Sequence, residues 1–522
     1  MVKINKRDFL KLASVAVSSG LAGGQRNAHA QMGGGGGGMG GGGMGGGGMG
    51  GGGGMGGGVI DPPTGGPFMD PVQMQNLSTT PGVVEVNVEA QQSPIAINGV
   101  TANLLTYNGS FPAPTIRVRK GDLLRLNFTN SLPMSGYNIL GHDRQMTNLH
   151  THGFHVSPVG NSDNVMIDFL PGESFTYEYN LDMQPGGSLN FYHPHVHGTV
   201  AEQFWAGLCG ALVVEDETDV LAGYETHLLI LKDIALNGSE PTSYSSIMDY
   251  MMGKEGNTIM VNGKVNPVLN IRPGQVQRWR ILNASTARFY NLSLQNHSMY
   301  VVGADDGLLD KPYRVSSMVL SPGERLDVLV KGTQSSGNYK FLSLPYSRHG
   351  NMSSAQITLM TLSYKGSKSR DAIPATVDSS AVRVPVPANP IVRTMTLSMG
   401  QGRGYINGIS FEGMQVYQIH SGLDTYEVWE VTNASGMDHP FHQHVNPCQV
   451  LSVTGGDSGY ASFYSSVPAW KDVVLVPKWG TARLLLPVKD YGGLAMFHCH
   501  ILEHEDIGML GLWNIMGGMG GM

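Results

Sequence analysis

Three stretches of the chain repeat one pattern: IRVRKGDLLRLNFTN at 116–130, VLNIRPGQVQRWRILNAS at 268–285 and YEVWEVTNAS at 426–435. Each alternates apolar and polar residues around a turn or into one, and each closes a strand on an asparagine, Asn130, Asn283 or Asn433. Alternation with a period of two gives one face to a core and the other to water, which specifies β-strands rather than helices. Short runs of Val, Ile, Leu, Thr and Tyr, broken by Gly, Pro, Asn and Asp, continue in this way from about residue 80. A chain of 522 residues is too long for a single core. One repeat per domain length predicts an all-β protein of three related antiparallel β-sandwiches, at 80–216, 217–388 and 389–515.

The ends of the chain read differently. Lys3, Lys6 and Arg7 precede the apolar run FLKLASVAVSSGLAGG, and Ala28-His29-Ala30 offers a small-x-small cleavage site, so residues 1–30 are expected to be an export signal. Lys6-Arg7-Asp8-Phe9-Leu10-Lys11 resembles a twin-arginine signal with lysine in the first arginine position, and a general secretory signal is the alternative. No later run is apolar enough to span a bilayer, so a soluble periplasmic or extracellular protein without stable membrane insertion is expected. Residues 31–79 are expected to form a disordered tether, because a near-pure glycine tract punctuated by Met32, Met39, Met44, Met49 and Met55 cannot offset its backbone entropy. The tail 516–522 repeats that composition with Met516, Met519 and Met522. Thioethers suit Cu(I), so the tails are either soft-metal ligands or plain spacers.

A net charge of -7 without any Lys/Arg cluster argues against nucleic-acid binding. Three cysteines are too few for a disulfide framework in a chain of this length. Cys209 and Cys448 lie in apolar runs and are expected to be small buried residues, with a single Cys209–Cys448 bridge as the alternative.

Cys499 belongs to a different pattern. Four segments read His-x-His: His150-Thr-His152, His193-Pro-His195, His442-Gln-His444 and His498-Cys-His500. On a strand, alternate side chains share a face, so each pair presents two imidazoles to one side, and the four pairs supply ligands for several metal ions. In HCH the cysteine faces away from its two histidines, so a single strand can serve two centres. His439, His504 and Met509 stand on the same two segments, and two His, one Cys thiolate and a weak axial Met make the ligand set of a blue-copper site. A structural zinc site would use more cysteines at tighter spacing.

HTHG at 150–153, HPHVHG at 193–198, HPFHQH at 439–444 and HCHILEHEDIGM at 498–509 resemble the four copper motifs of the three-domain multicopper oxidases. YNGSFPAPTIRVRKGD at 107–122, SPGERLDVLV at 321–330 and YINGISF at 405–411 are similar to further signatures of that family, so the resemblance covers most of 85–515. It implies three consecutive cupredoxin-like Greek-key β-sandwich domains and four copper ions. Type 1 copper would take His439, Cys499, His504 and Met509; type 2 His150 and His442; and the type 3 pair His152, His193, His195, His444, His498 and His500. It implies an oxidoreductase with O2 as acceptor, acting as a monomer, in which electrons enter at His504 and pass through Cys499. Asp163 and Glu505 match acids of proton delivery, with Asn161 as the register alternative to Asp163. Thr151 replaces the usual tryptophan of the first motif, while His155 and His197 match no ligand. The reductant is expected to be a phenol or aryl amine, as in laccases. The alternative is Cu(I), suggested by the tails and by Met248, Met251 and Met252. A three-histidine catalytic copper, as in nitrite reductases, would leave the four His-x-His pairs unexplained.

Overall fold

The computed structural model describes residues 58–133, 136–216, 218–413 and 419–517. The expected export signal, tether residues 31–57 with Met32, Met39, Met44, Met49 and Met55, and the last five tail residues lie outside the described residues. Three β-sandwiches follow one another along the chain. The first pairs Val83–Ile97, Val100–Tyr107, Leu123–Ser131 and Ser174–Asn180 in one sheet, with Ala113–Arg119, His150–His152, Leu189–His193 and Gly210–Glu215 in the other. In Leu123–Ser131 the expected alternation holds: Leu124, Leu126, Phe128 and Asn130 are buried and the residues between them are not. The second sandwich hides this signal, because every residue of Val276–Asn283 is buried. Its Arg278 is neutralised there by Asp327 and Asp219.

The repeat seen in the sequence is a repeat in topology. Val83–Ile97 runs parallel to Leu123–Ser131, Glu225–Ile234 to Val276–Asn283, and Ile391–Gly400 to Thr425–Asn433. The closing asparagines do the same work three times. The Asn130 amide donates to the carbonyls of Gln145 and Phe169 and its oxygen accepts from the Leu132 N–H. Asn283 bonds Arg288, Leu320 and Ser285 in the same way, and Asn433 bonds Met437, Val476 and Ser435. Each ties the end of a core strand to two other segments of its sandwich by buried hydrogen bonds to both the amide and the oxygen.

The tether expectation is corrected for 58–79. Val59–Ile60 adds in parallel to Gln356–Tyr364, Asp61 pairs with Lys340 and accepts from Thr358, and the Phe68 N–H donates to the Val268 carbonyl. Asp70 holds His227 at 3.0 Å, and the Met74 N–H reaches the Thr115 carbonyl. The glycine tract stops at Val59. From there on, prolines restrict the unfolded chain and side chains find partners along a sheet edge. Cys209 and Cys448 are free and buried, without a bridge. No helix among the described residues is long and apolar enough to cross a membrane.

Candidate metal centres

Cys499 ends the strand Gly493–Cys499, which pairs with His439–Gln443 so that Phe441 faces Cys499 and His442 faces His498. The short helix Leu502–Asp506 then returns the chain and carries His504 to the cysteine side. Cys499 Sγ lies 3.4 Å from His439 Nδ1 and 3.6 Å from His504 Nδ1, and the two nitrogens are 3.2 Å apart. Met509 is buried beside them, its N–H donating to the His504 carbonyl and its carbonyl accepting from the Cys499 N–H. Ser435, held by Asn433, contacts His439 Nε2 at 2.8 Å and fixes that ring.

The histidines of the first and third sandwiches meet on the other side of the same strand. His150–His152 pairs with Leu189–His193, setting His150 opposite His193. His150, His442 and His444 form one group, His195, His444 and His498 another, and His150, His152 and His193 a third, with ligand atoms in each within 4.8 Å of one another. His500 closes the set, its ring centre 4.8 Å from His152 and 5.7 Å from His193.

One nitrogen of each of four rings is anchored: His150 Nδ1 by Asp163 at 2.9 Å, His442 Nδ1 by the Asp472 carbonyl, His152 Nε2 by the Asp472 carboxylate and His193 Nδ1 by the Pro194 carbonyl. Their opposite nitrogens, and both of His500, are buried without a hydrogen-bond partner among the described residues. Burial, reinforced by neighbouring imidazoles, holds His150, His152, His193, His442, His444 and His500 well below the usual histidine range. A buried polar atom left unpaired costs about 1–3 kcal/mol. Neutral imidazoles with one nitrogen anchored and one bare are the donors a transition-metal ion takes, so the residues fit the metals their pattern implies.

The second sandwich braces this junction. Arg325 clamps both oxygens of Asp472 and also donates to the carbonyls of Leu189 and Gly323, linking all three sandwiches. A Cβ on Gly153 (φ +89) would collide with Arg325 and Asp472, so the glycine of HTHG is what lets them approach. Asp163, not Asn161, reaches the site; Asn161 bonds Glu178 at the surface. Burial raises the Asp163 carboxyl to about 7 against the hydrogen bonds donated by the Thr151 N–H and hydroxyl. Of these two bonds, the one from the hydroxyl depends on threonine at this position. Glu505 is fully buried, 3.1 Å from His498 Nδ1 and 3.5 Å from His195 Nδ1. Burial would raise its carboxyl, but those two imidazoles draw it down to about 2.

Comparison with known proteins agrees with the geometry. Multicopper oxidase family models match residues 89–219, 225–367 and 385–516. The chain belongs to the multicopper oxidase family. A "Multicopper oxidase mco" of Staphylococcus haemolyticus is 29% identical over 419 residues, covering 78% of this chain and 83% of the relative. A "Laccase" of Bacillus subtilis is 28% identical, covering 85% and 95%. The solved structure of a Campylobacter jejuni multicopper oxidase, described as a metallo-oxidase, superimposes with a TM-score of 0.75 at 28% identity, covering 87% of this chain and 96% of that one. The three family domains imply copper binding and oxidoreductase chemistry with O2 as acceptor.

Within this multicopper oxidase, Asp472, Arg325 and the buried Asp306 escaped the sequence reading. Arg325 stood in the signature SPGERLDVLV and Asp472 at the head of an apolar strand, but neither position names a partner. His155 bridges sandwiches, from the Val445 carbonyl to Asp490. His504 is fully buried under the helix Ile247–Met252, and its Nε2 contacts the Met251 carbonyl at 3.2 Å.

Proposed function

We propose that the chain takes electrons singly from a small reductant at a type 1 copper and reduces O2 to water at a three-copper cluster. His439, Cys499, His504 and Met509 would hold type 1, His150 and His442 type 2, and His152, His193, His195, His444, His498 and His500 the type 3 pair. Bound copper would supply one one-electron couple per ion, so that the cysteine-side ion and the three among the histidines together would hold the four electrons O2 requires. The observation that carries the reading is the antiparallel register that sets Phe441 against Cys499 and His442 against His498. It gives Cys499 to one site and its two flanking histidines to the other, leaving a short covalent route between them. Four protons must accompany the four electrons. Asp163, raised to about 7 beside His150, would hold a proton at its carboxylate, and Glu505, drawn down between His195 and His498, would accept protons and pass them on. Export by residues 1–30 and action as a monomer belong to the same reading.

The reductant is best read as Cu(I). A phenol or aryl amine needs contact with the imidazole edge of the entry histidine, and here that edge is spent on Met251. The covering helix is fixed at both ends. Asp249 accepts from the N–H groups of Ser245 and Ser246, and Arg348 donates to the carbonyls of Met252 and Gly253. It carries Met248, 56% exposed, and the half-buried Met251 and Met252. Thioethers favour Cu(I). O2 uptake by copper-loaded protein, with chelated Cu(I) against a methoxyphenol and corrected for autoxidation, decides between them. Cu(I) should be faster, and replacing the three methionines by leucine should slow Cu(I) alone. A faster phenol rate, untouched by the replacement, would restore the laccase reading.

A further inference from the structure

His142 lies outside the copper motifs and His197, inside HPHVHG, matches no ligand, yet they stand together. Their ring centres are 5.6 Å apart with planes at 81°. The molecule supplies its own ruler for that spacing. In the histidine groups described above, His195 and His498 are 5.0 Å apart, His444 and His498 5.4 Å, and His152 and His193 5.8 Å. The pair lines an open cavity of about 510 Å³ together with Glu412 and Asp506. His197 Nδ1 is buried and has no hydrogen-bond partner among the described residues.

The place is built rather than incidental. Asn138 accepts from the N–H groups of Leu140 and His142 and donates to the Gly198 carbonyl, pinning the His142 loop to the turn after His197. The His142 ring occupies the space where any Cβ on Gly198 would stand. Asp506, two residues beyond His504, accepts from the N–H groups of Gly198, Val200 and Ala201. The histidine pair is therefore coupled through one carboxylate to the helix that carries the electron-entry residue. Ile247, the first residue of the helix over His504, lines the same cavity.

The geometry points to an accessory site in which His142 and His197 share one divalent transition-metal ion, with water completing its coordination. Imidazole ligands select Cu(II), Zn(II) and similar ions over Mg(II) or Ca(II). In the Cu(I)-oxidising reading, on which only its purpose rests, the site would retain copper beside the point where it gives up its electron.

The test is a zinc count on holoenzyme loaded with copper, cleared of copper beyond four ions per chain by a weak chelator, then dialysed against Zn(II) and measured by elemental analysis. One Zn(II) per chain should bind, be displaced by Cu(II), and be lost in both His142→Gln and His197→Gln with the cysteine-copper absorption unchanged. His197 is close to His195; if its replacement disturbs copper loading, His142→Gln decides alone. No zinc beyond the copper complement, or zinc retained in His142→Gln, overturns the site. The count uses no electron donor, so failure of the Cu(I) reading would leave its result standing.

Discussion

The cysteine grouping and the histidine cluster sit back to back on one strand, but they are assembled at different scales. His439, Cys499, His504 and Met509 all come from the third sandwich; hydrogen bonds within residues 433–509 orient most of the group, and the Met251 carbonyl of the second adds one contact, to His504 Nε2. The histidine cluster takes half its rings from the first sandwich and half from the third, and Arg325 of the second holds them in register. One site forms when a domain folds. The other forms only when three domains dock, so it should fail first under any change that loosens docking.

The largest effect should come from Cys499, whose bonded neighbours His498 and His500 join the two sites. Cys499→Ser should abolish the cysteine-copper absorption and reduce O2 uptake with every donor to background, while the histidine cluster keeps its copper; persisting uptake would mean that electrons bypass Cys499. Arg325→Met sharpens the contrast, because it strands the buried Asp472 carboxylate at a cost of about 3–5 kcal/mol. Copper analysis should show loss from the histidine cluster with the cysteine band retained. Equal loss from both would erase the distinction.

Asp163→Asn keeps the shape of the side chain but removes the charge that orients His150. A fall of about 10–100-fold in O2 reduction is expected, with an unchanged cysteine band. The smallest effects belong to the repeated asparagines, where replacement by alanine should cost about 1–3 kcal/mol of stability in thermal unfolding. Only Asn433→Ala should also shift the cysteine band, since only Asn433 positions Ser435 against a ligand histidine. A shift of the same size in Asn130→Ala would contradict the local origin of that site.

The same contrast explains what could be read in the chain. The cysteine grouping is legible because three of its four members lie within residues 499–509 and strand alternation turns Cys499 away from His498 and His500. The His-x-His pairs were legible as pairs for the same reason, and the repeated asparagines marked three sandwiches. Arg325 and Asp472 were not legible: 147 residues separate them, and neither lies in a pattern that names the other. Nor did composition separate the ordered strap at 58–79 from the glycine tract before it, because its partners are strand edges far along the chain. The cover over His504 depends on a loop of the second sandwich. The methionines at 248, 251 and 252 announced an unusual composition, not a location.

The most direct test of the account is a copper count with electron paramagnetic resonance on the fully loaded protein. With His142→Gln, so that the accessory site adds no copper, the account predicts four copper ions per chain: one bound by the cysteine thiolate, one ordinary Cu(II) and a coupled pair that gives no signal. Four independent signals, or a cysteine site filled while the histidine cluster stays empty in the intact protein, would contradict it.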